Sequence, residues 1–66
     1  MDNVMTFLYV NHRGEPAVRT VVPQSVWFGK TEWHKDEQWF LKAYDVDRMT
    51  LRDFAMADIK EIYRRA

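Results

Sequence analysis

Residues 49–65, MTLRDFAMADIKEIYRR, read in two ways, and the choice between them decides the fold. Wound at 3.6 residues per turn, Leu51, Phe54, Ala55, Ile59, Ile62 and Tyr63 fall on one stripe, as in an amphipathic helix over 51–65. Thr50 followed by Asp53 resembles a capping box at its start. Laid out with a period of two, Arg52, Phe54 and Met56 share one face. This second reading gives a strand, a turn near 57–59 and a short final strand over 60–64. Periodicity alone leaves both open.

The chain before this stretch is strand-like. Residues 4–10, VMTFLYV, alternate and place Met5, Phe7 and Tyr9 on one face. NHRGEP follows as a turn, carrying Asn, Gly and Pro. Residues 17–28, AVRTVVPQSVWF, form a longer second strand. Pro23 within it has no N–H for a ladder, so it marks a bend, a bulge or an edge. GKTEWHKDE is a polar connection headed by Gly29, and residues 38–46, QWFLKAYDV, are a third strand. Alternation puts Trp39, Leu41 and Ala43 on one face and Phe40, Lys42 and Tyr44 on the other.

Bulk composition narrows the function classes. Sixty-six residues make one domain, 1–66, and a chain this short buries only about 60% of its extended surface. There is no cysteine, so no disulfide reinforces it, which fits a cytoplasmic location. Lys+Arg and Asp+Glu are ten each, without the basic excess of a non-specific polyanion binder. The uncharged apolar run from Val4 to Val10 is too short to span a bilayer, and no basic residue precedes it as in a secretory signal. Ser25 is the only serine and only two glycines are present, so neither a nucleophile triad nor a phosphate-cradling loop is visible. The chain reads as a binder, not an enzyme, with no cofactor.

Four pieces taken in order resemble the WYL domain, a small Sm-like or SH3-like β-barrel named for a Trp-Tyr-Leu triad. They are FLY with an N-x-x-G turn (Phe7 to Gly14), RTVVP (Arg19 to Pro23), WFLKAY (Trp39 to Tyr44) and RDFAMADI (Arg52 to Ile59). The resemblance implies the strand reading of the tail, with MADI as a short 3₁₀ turn before the last strand. The expected fold is therefore all-β, a five-stranded SH3/Sm-like small barrel. It also implies a ligand-sensing module of the kind found behind helix-turn-helix segments in bacterial regulators, with nucleotides or nucleic acid as the favoured ligand. Two residues depart from the family pattern. Phe40 replaces the triad's Tyr, and Asp58 stands where a cation is usual. No helix-turn-helix is present in these 66 residues, so the module is expected to act through a regulatory partner protein.

Candidate contacts follow from residue chemistry. Trp39 and Leu41 suit a barrel core, whereas Phe40, Lys42 and Tyr44 combine an apolar ring, a cation and a phenol that could line a surface for a base or a peptide. Arg52 alternates with core-like residues, so its charged head belongs at a barrel mouth. There it either clamps a phosphate or carboxylate or pairs with Asp45, Asp47 or Asp58. Arg19, Tyr9, Trp33 and His34 complete the expected contact set. Glu32, His34 and Asp36 could aim three ligands one way, but a solvated loop with Trp33 folded back onto the barrel is the simpler reading, and no metal is expected. Trp27, Phe28 and Trp33 around Gly29 suggest a subunit contact, and a dimer is expected. An alternative function is assembly through open barrel edges, with no small ligand. Binding to a nucleotide or single-stranded nucleic acid is expected to be weak.

Overall fold

A computed structural model describes residues 3–63. The alternating segments form β1 (Met5–Val10), β2 (Pro16–Gly29), β3 (Gln38–Asp45), β4 (Thr50–Ala55) and β5 (Ile59–Tyr63), with a single 3₁₀ turn at Met56–Asp58. The tail is strand, short turn, strand. Every pairing is antiparallel, within one sheet of order β4-β3-β2-β1-β5. β4 and β5 are its two edges and do not hydrogen-bond to each other, so the barrel is open. The expected strands hold to within one or two residues, and residue 64 lies outside the described range. No helix among these residues is long and apolar enough to cross a membrane.

The concave face carries the core: Phe7, Tyr9, Val21, Leu41, Ala43 and Phe54, with Met5 and Ile59 packed against it. Phe7, Tyr9 and Phe54 meet edge-to-face with ring centroids 5.0–6.2 Å apart. β1 and β4 share no ladder, yet the Ala55 N–H donates a buried 2.9 Å hydrogen bond to the Tyr9 hydroxyl. This bond and the aromatic trio hold the sheet in its curl.

Pro23 marks a β-bulge. Pro23 faces Ala43 and Ser25 faces Lys42, so Gln24 is the extra residue. The bulge reverses the parity of β2. Val21 and Pro23 lie on the core face, but Trp27 faces Phe40 on the opposite side. Two expectations for β3 are corrected. Phe40, expected to line an open surface, is fully buried. It lies under the Trp27 ring (4.8 Å, interplanar angle 24°) and against the edge of His34. Trp39, expected in the core, is 54% exposed. It keeps the core-face parity, but β1 pairs only with Pro16–Val21 of β2, so no strand covers that end of the hairpin. Met56, read as core-like, sits in the 3₁₀ turn and is exposed.

Gly29 is required by a close approach. A Cβ there would stand 2.7 Å from the Trp27 ring, which is held by Phe40 and by a 2.9 Å hydrogen bond from its Nε1 to Asp53 Oδ1. Gly29→Ala is therefore expected to destabilise the protein by about 1–3 kcal/mol, the scale of overpacking. Chemical denaturation checks this, and an unchanged midpoint would show that the Trp27 ring shifts freely.

Candidate functional site

Two connections and one edge strand line a half-open cavity of about 670 Å³. The β1–β2 turn is built by Asn11. Its Oδ1 accepts from the N–H groups of Arg13 (2.9 Å) and Glu15 (3.0 Å), and its Nδ2 donates to Glu15 Oε1. Gly14 takes a positive φ of 80°, the conformation open to glycine. The result is a tied loop that presents His12 and Arg13 toward the cavity.

The β2–β3 connection is tied in a similar way by Thr31. Its hydroxyl accepts from the N–H groups of Trp33 (3.2 Å) and His34 (3.1 Å), while its own N–H donates to the His34 carbonyl. His34 Nε2 lies 3.2 Å from Asp58 Oδ2, anchoring this loop to the 3₁₀ turn. Trp33 is 61% exposed, and its ring stacks on His12 of the other loop at 4.8 Å and 24°. The Trp33 side chain therefore spans two connections and does not pack into the barrel core.

β4 supplies the third wall. Arg52 stands over the Phe54 ring with its guanidinium carbon 5.9 Å from the centroid. None of the expected acids, Asp45, Asp47 or Asp58, comes within 4.0 Å of it, and among the described residues it has no ion-pair partner. Asp53, its neighbour on the strand, is engaged by Lys42 Nζ at 3.1 Å and by Trp27. Tyr9 also lines the cavity. Burial raises its hydroxyl pKa above the ordinary 10.0. Asp58 adds to that rise, and the Ala55 hydrogen bond, Arg52 and Arg19 oppose it. The hydroxyl stays protonated at neutral pH. Its oxygen accepts from Ala55, which leaves its proton free to donate.

Of the residues expected to contact a ligand, Tyr9, Trp33, His34 and Arg52 are brought together on this cavity. Phe40, Lys42 and Tyr44 do share a face, but it is the other side of the sheet and none of them lines the cavity. Arg19 is displaced from the set as well. Its Nη1 lies 3.9 Å from Asp45 Oδ2, and the two side chains are only 12% and 1% exposed. The contact is ionic without a hydrogen bond, and neither Arg19 Nε nor Asp45 Oδ2 has a hydrogen-bond partner among the described residues. Asp45 Oδ1 accepts from the Arg48 N–H. No group of three His, Cys, Asp or Glu residues among those described converges to hold a metal, and Asp58 takes up the imidazole of His34.

Sequence reasoning missed Asn11, His12, Arg13, Thr31, Thr50 and Leu51 as lining residues. Asn11 and Gly14 were visible as turn residues, and Thr31 two residues before Trp33 was a usable sign of a hydroxyl-tied turn. Nothing in the spacing showed that these two loops meet.

The two arginines are expected to behave differently on truncation. Arg19→Ala strands a buried carboxylate and should cost about 3–5 kcal/mol. Arg52→Ala should cost about 1 kcal/mol, the scale of a surface charge. Urea titrations of the two variants check this, and equal losses would refute the division.

The family model described as WYL domain matches residues 2–64. No curated protein and no solved structure gives a significant match to the chain.

Proposed function

Because the chain belongs to the WYL domain family, whose members are generally ligand-sensing regulatory domains, we propose that the cavity between its two tied loops and β4 is the sensing site. We take its ligand to be a small anion-bearing molecule. The observation that carries this reading is Arg52. It is a guanidinium on a cavity wall, fixed by strand pairing, backed by Phe54 and without an acidic partner among the described residues. A fork of N–H donors held in this way matches a phosphate or carboxylate, and the Tyr9 hydroxyl adds a donor nearby. The module binds and does not catalyse. It transmits the bound state to a partner protein in the cytoplasm.

Charge balance favours a compact ligand over a long strand. Ten basic and ten acidic residues give no net basic excess, so any nucleic-acid segment bound here is expected to release few counterions. A salt slope equivalent to more than about five phosphates would contradict this.

The experiment is a thermal-shift screen of nucleotides, simple oxyanions and short single strands on wild type and Arg52→Ala. A ligand at a hundredfold over its Kd adds about 2.7 kcal/mol of stability. The expected result is a shift in wild type that disappears in Arg52→Ala while the unliganded variant stays folded. A shift of equal size in both proteins would remove Arg52 from the site.

One observation favours assembly as a second reading. Beyond Val21, the long β2 strand is paired on one side only among the described residues. That end carries Val26, Phe28 and Trp39, each more than half exposed. An open edge beside exposed rings is a natural place for a second copy. Trp39→Ser is expected to weaken self-association by about tenfold or more, as loss of an aromatic anchor does. Sedimentation equilibrium measures it, and a wild-type monomer at high micromolar concentration would rule assembly out.

A further inference from the structure

The free edges of the sheet are not alike. β4 and β5 are its outer strands, and each carries charge: Arg52 and Asp53 on β4, Lys60 and Glu61 on β5. Charged side chains are a common guard against edge-to-edge pairing. The far end of β2 is also free, because β1 covers it only as far as Val21. Pro23 and the bulge at Gln24 interrupt the first part of this edge, and they are guards of another kind. From Ser25 to Gly29 the ladder to β3 is regular again, and no charged residue stands between Arg19 and Lys30. The large side chains of the stretch lie clear of the edge. The Trp27 ring leans over β3 onto Phe40 and reaches Asp53 of β4. The Phe28 ring meets Trp39 of β3 edge-to-face at 5.4 Å. On the side away from β3, the backbone of Ser25–Gly29 has no strand partner among the described residues. Beside it, Val26, Phe28 and Trp39 form an apolar surface on one face of the sheet, each more than half exposed.

We propose that Ser25–Gly29 pairs antiparallel with the same stretch of a second copy, joining two sheets into one across a two-fold axis at Trp27. The inference rests on the assembly reading and names the strand and the register that carry it. Charge selects the occupant. Against either outer edge, this stretch would face Arg52 and Asp53 or Lys60 and Glu61 with no charge to match them. Against its own copy it meets an equally uncharged strand of equal length. Full overlap centres the axis on the middle residue, Trp27. Residues directly opposite in an antiparallel pair share a face, so Val26 meets Phe28 of the second copy and Ser25 meets Gly29. The two apolar surfaces then adjoin and form one continuous layer. The pairing is limited at both ends, by the end of β2 at Gly29 and by the bulge at Gln24.

The test is sedimentation equilibrium on wild type, Val26→Lys, Phe28→Glu, an equimolar mixture of these two variants, and Ile62→Lys as a control on β5. All three positions are more than half exposed, so the variants should fold, which a wild-type circular dichroism spectrum would verify. Val26→Lys and Phe28→Glu should each weaken self-association about tenfold or more, as loss of an interface anchor does. Ile62→Lys should leave it unchanged. The mixture should regain association. In this register the introduced ammonium and carboxylate face each other across the axis, and the second contact is still Phe28 against Val26. A wild-type monomer at high micromolar concentration would overturn the assembly reading and this pairing with it. Association that survives Val26→Lys and Phe28→Glu would overturn the pairing and leave assembly standing, and its loss in Ile62→Lys would move the contact to β5. Loss in both single variants without recovery in the mixture would overturn the register. Should a variant fail to fold, amide hydrogen exchange of wild type at low and high concentration decides instead. Slower exchange over Ser25–Gly29 at high concentration supports the pairing, and identical exchange overturns it.

Discussion

The 2.9 Å hydrogen bond from the Ala55 N–H to the Tyr9 hydroxyl is the contact on which the rest of this small structure depends. β1 and β4 are not neighbours in the sheet, and its two edge strands do not pair. The Ala55–Tyr9 bond is buried and crosses the interior, and the part-buried Trp27–Asp53 bond links β2 to β4 on the other face. Tyr9 spans the interior, fills it with its ring against Phe7 and Phe54, and satisfies a buried backbone donor on the far strand. Leaving such a donor unsatisfied would cost on the order of 1–3 kcal/mol, a large share of the stability available to a chain of this length. The bond also sets the cavity. By drawing the end of β4 over β1, it brings Arg52 and Tyr9 to a common wall.

A second constraint works on the opposite face. The extra residue at Gln24 turns Trp27 away from the core and onto Phe40. This makes a small apolar layer outside the main core, with Ala55 also fully buried. His34 packs on Phe40 from the loop above, and Trp27 and Lys42 hold Asp53. The β2–β3 loop is therefore tied internally by the Thr31 turn and seated at two points outside it, the Phe40 ring and the Asp58 carboxylate. The position where the family usually carries a cation has become the anchor for a histidine. This departure from the family pattern fixes the loop that forms one wall of the cavity.

Much of the fold could be read from the chain, for reasons tied to individual residues. Pro23 signalled a bend, a bulge or an edge because it lacks an N–H, of which the bulge is present, and Asn11 with Gly14 announced the first turn. The tail could not be resolved by periodicity, since Phe54 and Ile59 suit a helix stripe and a strand pair equally well. The order of the four family-like pieces decided it. What could not be read was parity after the bulge, and this one fact misplaced Phe40. Trp39 was misjudged because alternation tells which face a residue takes but not where the covering strand ends. In the site, Tyr9, Trp33, His34 and Arg52 were legible as residue types, whereas His12 was not. Its importance comes from a loop-to-loop contact with no local signature.

The arginines show how the barrel interior separates structure from recognition. Arg19 lies opposite Phe7 in the β1–β2 ladder, and Arg52 lies opposite Ala43 in the β3–β4 ladder, so both point to the concave face. A charged head on that face must be paired or reach the mouth. Arg19 stands beside the buried Asp45 and is matched there, without a hydrogen bond across the 3.9 Å gap. Arg52 lies on the edge strand, where its stem packs over Phe54 and its head reaches the cavity. Two cations of the same type are thus given different tasks by strand position alone. The interior acid is taken by the arginine on the central strand, and the arginine on the edge strand has no acidic partner among the described residues.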